Sequence, residues 1–218
     1  MKRIGFLHEQ IVSEENCRLA IINAAKHKKK RRNVQKVMDN LDFYAKDLSE
    51  RLVRLDFTSP YRTRIIKDGL SGKERELQIP AFYPDQCAHH AIVQVLQPLI
   101  MKSSYYWSCA NIPNRGIDRA AKGVERATMR DIKHAKYCVK MDIHKFYPSI
   151  PHDKLKEHLQ RKIKDKKALG IIHLVIDSYH SSPGHGIPIG NYTSPRLAEF
   201  YLQSLDYFIT VSYTHLRA

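Results

Sequence analysis

KMDIHKFYPSI, residues 140–150, decides how this chain is read. Together with the residues just before it, the run 137–143 alternates. Tyr137, Val139, Met141 and Ile143 fall on one side, and Cys138, Lys140 and Asp142 on the other. Alternation at period two belongs to a strand with one covered face, so the spacing predicts a strand that aims Asp142 at a cleft. Pro151 then opens a helix in which Leu155, Leu159 and Ile163 repeat every four residues. An aspartate at a strand end, with Phe146 and Tyr147 just beyond it, suits half of a two-ion nucleotidyl-transfer site. Magnesium is hard and takes carboxylate oxygen, and two ions roughly 4 Å apart activate a hydroxyl and clamp a leaving pyrophosphate. A single aspartate in such a place also suits a helix cap or a turn, so the segments around it carry the decision.

Working outward, the stretch 184–209 reads as a Gly/Pro loop followed by a helix, with Ser194 as its N-cap and Pro195 at its first position. Upstream, RTRIIKDG and KERELQIP flank the turn 68–72 and predict a β-hairpin. Residues 88–100 predict an apolar helix that runs as far as Pro98, and residues 114–131 a Gly-interrupted basic loop leading into another helix. Nearer the N-terminus a helix is predicted over 13–30, capped by Ser13, with Leu19, Ile22 and Ala25 on its apolar face. A second follows, because Val37, Leu41, Tyr44, Leu48, Leu52 and Leu55 recur at steps of three and four. Between them lies a cationic run: Lys26, Lys28, Lys29, Lys30, Arg31 and Arg32.

Charge narrows the function. Thirty-seven Lys and Arg against 22 Asp and Glu leave +15 over 218 residues, and such an excess repels itself unless a polyanion relieves it. The cations are spread among aromatics and form no basic amphipathic anchor, which favours nucleic acid over a membrane surface. No run of 18 apolar residues occurs, and the N-terminus has no signal-peptide pattern. The four cysteines have no paired spacing, which points to reduced thiols and a cytoplasmic protein. His89, His90, His180 and His185 lack a recognisable metal-ligand set.

Five segments in order resemble the reverse transcriptases of bacteria, those of group II introns, retrons and diversity-generating retroelements. KERELQIP resembles the fingers motif, and PDQCAHHAIVQVLQPLI the helix after it. SCANIPNRGIDRAAKGVE is similar to the family's SxGxxxGRG segment, KMDIHKFYPSI to the first palm aspartate motif, and GIPIGNYTSP to the loop and helix under the nascent base pair. The resemblance implies an RNA-directed DNA polymerase that takes dNTPs, an RNA template, a DNA or RNA primer and two Mg2+ ions. Asp142 would bind both ions, with the Ile143 carbonyl as a further oxygen. Arg75, helped by Lys67 and Lys73, would pair with the triphosphate. Tyr147, next to Phe146, would sit under the sugar and leave no room for a 2′-hydroxyl. Ile189 and Gly190 would meet the nascent pair, and Tyr192 could stack on a base. Lys28, Lys29, Lys30, Arg31, Arg32, Arg115 and Ser194 would contact nucleic acid.

The family pattern often has Gln where Ile189 stands, so lowered fidelity is a hypothesis. Unchanged misincorporation after Ile189→Gln would dismiss it. The implied fold is α+β, a reverse-transcriptase fingers and partial palm: a basic N-terminal helical extension over 1–57, fingers over 58–136, and palm over 137–210. VSYTHLRA, residues 211–218, resembles a library adapter, so the chain is expected to be a fragment truncated before the second aspartate motif, YxDD, and inactive alone. Two alternatives stay open: a non-catalytic, maturase-like RNA-binding protein that needs no Asp142, and a template-independent polymerase of antiviral defence.

Overall fold

The computed structural model describes residues 3–67, 72, 74–130 and 137–215, the last five of these by backbone alone. Helix α1 (Leu7–Val12) leads into α2 (Glu14–Ala25), which packs against both α4 (Leu41–Arg54) and α5 (Cys87–Ser103). Ser13 caps α2 as expected, its Oγ accepting from the Asn16 N–H at 3.2 Å. The helix is shorter than predicted, and of its expected face Ala25 is buried, Ile22 half-buried and Leu19 exposed. The buried face is Cys17, Ala20, Ile21, Ala24 and Ala25. Small side chains let the neighbouring helices approach on that face, and the helix ends at Ala25, with extended backbone at its C-cap Lys26 and left-handed backbone at His27 carrying the chain into the basic run. A polar stitch fixes the approach: Gln94 Nε2 donates to Asn16 Oδ1 at 2.7 Å, and Asn23 Nδ2 donates to Gln94 Oε1 at 2.8 Å.

The predicted second helix is two helices, α3 (Arg32–Asp39) and α4, broken at Asn40. Val34 and Val37 bury one face of α3, and Ala45, Leu48 and Leu52 one face of α4. Leu55, assigned to the same face from periodicity, is instead the exposed left-handed C-cap. Helix α5 runs through Pro98 to Ser103 rather than stopping at the proline. Its buried stripe from Cys87 to Ile100 continues past the proline, so packing outweighs the one backbone bond that proline cannot make.

The predicted hairpin forms. β1 (Arg62–Lys67) pairs antiparallel with β2 (Glu74–Ile79), Arg62 opposite Ile79 and Lys67 opposite Glu74. Of its predicted turn, residues 68–71 lie outside the described residues. The strand predicted over 137–143 does not form: these residues have no regular structure, and Tyr137, Val139, Met141 and Ile143 are all exposed. Alternation specifies which side of a strand is covered, but a strand also needs a neighbour for its backbone groups. Among the described residues none pairs with this segment.

After α6 (Ile117–Arg130), which buries no residue, the chain forms α7 (Phe146–Ser149), α8 (His152–Lys162), α9 (Lys166–Asp177) and α10 (Ser194–His215). Asp165 caps α9 by accepting from the Lys167 and Ala168 N–H groups, and its other oxygen accepts from His8 N–H at 2.8 Å. Ile4 pairs beside Ile163, which ties the N-terminus to the α8–α9 corner. One continuous apolar core runs from Leu7 to Phe200 and joins the N-terminal helices to α8, α9 and α10. Among the described residues no helix is long and apolar enough to cross a membrane.

Candidate functional site

A cavity of about 580 Å³ opens where the hairpin meets the start of α10. Strand β2 supplies Arg75 and Ile79, and α7 supplies Tyr147. The loop before α10 supplies Ile189, Gly190, Asn191 and Tyr192, and the helix itself Ser194 and Pro195. Gln86 and His90 reach in from the start of α5, and Lys28 from the turn after α2. Residues up to 167 positions apart thus share one wall. Arg75, Tyr147, Ile189, Gly190, Ser194 and Lys28 were all singled out from sequence, and the structure brings them together.

The cavity is closed on one side by backbone. Gln78 N–H in β2 donates to the Ile189 carbonyl at 2.9 Å, so the loop lies against the strand like an extra rung. Gly190 has φ +110, and a Cβ there would stand 3.2 Å from the Gln78 carbonyl oxygen. Gly190 therefore approaches the hairpin backbone closely. A hydrogen-bond chain anchors the next residue. Asn191 Nδ2 donates to Tyr61 Oη at 2.9 Å, and Tyr61 Oη lies 2.7 Å from Ser178 Oγ. Ser178 Oγ itself donates to the Val175 carbonyl at 2.7 Å, which makes Tyr61 the donor to Ser178.

Lys28 Nζ donates to Gln86 Oε1 at 2.7 Å. Burial, with the Arg31 charge adding to it, lowers the Lys28 ammonium below its ordinary range. Burial raises the Tyr147 phenol, whose ring meets Phe146 edge-on. His90 stacks on Tyr192, and burial together with the Lys28 and Lys26 charges pushes its imidazole down to about 4. His89, wholly buried beside it, falls to about 3 by burial and the His90 charge. Both imidazoles are neutral at neutral pH.

Other expected site residues lie elsewhere. Asp142 and Ile143 stand exposed on the unpaired 137–143 segment and do not border the cavity, because no strand carries them inward. Phe146 packs against the core instead of lining the cavity. Lys67 pairs with Glu74 at 3.4 Å on the exposed hairpin, and Lys73 lies outside the described residues. Ser194 Oγ is buried without a hydrogen-bond partner, so it does not cap α10. The Thr193 carbonyl accepts from the Arg196 and Leu197 N–H groups there. Lys29, Lys30, Arg31 and Arg32 are exposed, and Arg31 also joins Lys28, Lys36 and Arg62 around a second cavity of about 560 Å³. Arg115 turns inward on its own loop, donating to the Tyr105 carbonyl at 2.9 Å. Gln86, His90, Asn191 and Tyr61 were not foreseen as site residues. His90 lay on the helix predicted over 88–100, but Gln86 lay before it, so their spacing of four marked no shared face.

Among the described residues no three His, Cys, Asp or Glu side chains converge in a way that could hold a metal ion. One exposed carboxylate, Asp142, does not make a two-ion donor set.

The model of the family described as reverse transcriptase (RNA-dependent DNA polymerase) matches residues 67–215. Over 183 residues the chain is 27% identical to an uncharacterized 91 kDa protein in a cob intron of Schizosaccharomyces pombe, covering 78% of this chain and 22% of that protein. Over 160 residues it is 29% identical to the group II intron-encoded protein LtrA of Lactococcus lactis subsp. cremoris, covering 70% of this chain and 26% of LtrA. The putative COX1/OXI3 intron 2 protein of Saccharomyces cerevisiae is 30% identical over 87 residues, 35% of this chain and 10% of that protein. The chain spans about a quarter of the length of the first two relatives.

Proposed function

The chain belongs to the reverse transcriptase family, of the group II intron type, and on that premise we propose that it grips the nucleotide and the template–primer for RNA-directed DNA synthesis. The observation that carries the proposal is the single cavity shared by Arg75, Lys28, Tyr147, Ile189 and Gly190. Arg75 offers a planar fork to the triphosphate of a dNTP, and Lys28 a second cation held in place by Gln86. The Tyr147 ring takes the space under the sugar and excludes a 2′-hydroxyl. Ile189 and Gly190 give the nascent base pair an apolar edge. The exposed cations Lys29, Lys30 and Arg32, with Arg31 and Lys28, follow the phosphate backbone.

The family uses magnesium for bond formation, and Asp142 is the residue we assign to it. The described donors do not amount to a two-ion centre, so these residues account for binding and positioning. Asp142 holds its carboxylate in water, with Lys145 and the aromatic pair Phe146–Tyr147 three to five positions further along the chain.

Titration of a fluorescent dNTP and anisotropy of a labelled RNA template–DNA primer duplex test the proposal. Arg75→Ala should weaken dNTP binding about 10- to 100-fold, the range for a lost charge-assisted hydrogen bond, and change duplex affinity little. Equal dNTP affinity in the two proteins would overturn the assignment.

A second reading, a maturase-like RNA-binding protein, draws support from one observation: the segment that carries Asp142 is unpaired and away from the cavity. Primer extension by the full-length protein separates the two. Extension that Asp142→Asn abolishes supports the polymerase, and no extension by the unaltered protein supports the binder.

A further inference from the structure

We propose that the uncovered face of Tyr192 is a stacking platform for a nucleobase, and that His90 is the positioning residue that holds the platform flat. The proposal rests on the nucleotide-cavity reading above and specifies which side chain receives the base.

Tyr192 follows the Gly190 turn, and its ring lies over the His90 imidazole with centroids 3.9 Å apart and planes 9° from parallel. One face of the tyrosine is therefore covered. The residue is nevertheless 42% exposed, so the imidazole leaves much of it accessible. Both rings border the cavity that also carries Lys28 and Arg75. An open aromatic face beside two cations takes a nucleotide by its two ends: the ring stacks on the base, and the cations hold phosphate oxygens.

The supports of this arrangement come from one helix face. Gln86, the N-cap of α5 with helical backbone angles, and His90 are four residues apart, so they lie one above the other. Gln86 accepts from Lys28 Nζ at 2.7 Å and anchors itself by donating to the Pro80 carbonyl at 2.9 Å. One helical turn further on, His90 carries Tyr192. The same face thus fixes the cation and the aromatic of the cavity at a set separation. Burial and the adjacent Lys28 and Lys26 charges disfavour the imidazolium, so the ring behind the platform does not add a third cation to the cavity.

A base can come from a free deoxynucleoside triphosphate or from the unpaired base of a template, and two probes separate these sources. One is the 2-aminopurine deoxyribonucleoside triphosphate. The other is an RNA–DNA primer–template with 2-aminopurine at the first unpaired template position. Emission of 2-aminopurine falls when the base stacks, so the 218-residue chain should quench at least one probe at saturation. Tyr192→Ala should abolish that quenching and weaken binding of the quenched probe about 10-fold, within the range of one base–aromatic stack. Tyr192→Phe should keep both. His90→Ala should lose part of the quenching, and His90→Phe should restore it. Rescue by a ring that cannot hydrogen-bond is an outcome that a hydrogen-bonding role for His90 would not give. If Tyr192→Ala fails to fold, Tyr192→Leu keeps apolar bulk without a π-face and must show the same loss. Anisotropy of the end-labelled duplex runs alongside. Binding without Tyr192-dependent quenching of either probe overturns the platform alone, and no binding of either probe by the unaltered chain overturns the underlying reading with it.

Discussion

Replacing Gly190 with alanine puts a methyl group at the point where the cavity is closed. Two costs follow from the geometry. At φ +110 an L side chain is strained, at roughly 1–3 kcal/mol. The new Cβ would also stand 3.2 Å from the Gln78 carbonyl oxygen and 3.8 Å from Leu77 Cβ. Gln78 cannot easily yield, because it is paired with Thr63 across the hairpin. The loop must give way instead, which stretches the 2.9 Å bond from Gln78 N–H to the Ile189 carbonyl, a bond with a net value of about 0.5–1.5 kcal/mol. Together these predict a loss of about 2–4 kcal/mol. For a chain of 218 residues that lowers Tm by roughly 5–15 °C. Urea unfolding followed by circular dichroism measures the free energy, and a thermal scan the midpoint. Gly184→Ala is the control: its φ is +72, but a Cβ there meets nothing within 4 Å, so it reports backbone strain alone. The reasoning is refuted if Gly190→Ala costs no more than Gly184→Ala. In that case the strand–loop contact constrains nothing.

Two further perturbations act away from that contact. Burial alone would raise the Asp165 carboxyl, but N–H groups of His8, Ala168, Leu7 and Lys167 outweigh burial and hold it below the ordinary carboxylate value. With the folded value depressed, its stabilisation is complete above the unfolded value and is lost as pH falls through the folded one. Asp165→Ala should therefore cost about 2 kcal/mol near neutral pH, from the lost cap and the orphaned His8 N–H, and should flatten the acid limb of the stability curve. An acid limb identical to that of the unaltered chain would show that Asp165 does not supply this dependence. For the basic run, changing Lys29, Lys30 and Arg32 to Gln removes three exposed cations. The slope of log affinity for single-stranded RNA against log salt should become shallower by about 2, at some 0.7 per phosphate contact. An unchanged slope would place the nucleic acid on another face.

What sequence made legible follows the range of each signal. The Ser13 cap, the hairpin and the 152–162 helix are local: a hydroxyl before a helix, two strand-like runs about a Gly-rich turn, leucines at steps of four. Each was read correctly because its cause lies within about ten residues. The helix faces were read less well. Leu19 looked like core from its spacing, but small residues on the opposite side let three helices close up, and Leu19 was left in water. Periodicity identifies an apolar stripe, while the neighbours decide which stripe is covered. The 137–143 segment is the extreme case. Its alternation is correct for a strand, yet a strand exists only through its neighbour, and none of the described residues supplies one.

The candidate site divides along the same line, and the division explains why Arg75 was foreseeable and His90 was not. Arg75, Tyr147 and Gly190 each sit in a segment with its own local pattern, so their types and order could be matched to a family before their meeting place was visible. His90 has no such mark: a histidine on an apolar helix is ordinarily core, and its neighbour His89 is core here, wholly buried. What distinguishes His90 is a ring 102 residues away lying parallel to it at 3.9 Å. Lys28 is an intermediate case, since its charge was evident among five other cations but its separate position was not. The 2.7 Å bond to Gln86 turns that one lysine into the cavity while Lys29 and Lys30 face water. Groups that would touch a substrate can therefore be recognised by chemical type, whereas groups that aim them are defined by contacts between distant segments. Substitutions at Gln86 and His90 should alter how tightly a nucleotide is held without removing any atom that the sequence marks as a ligand.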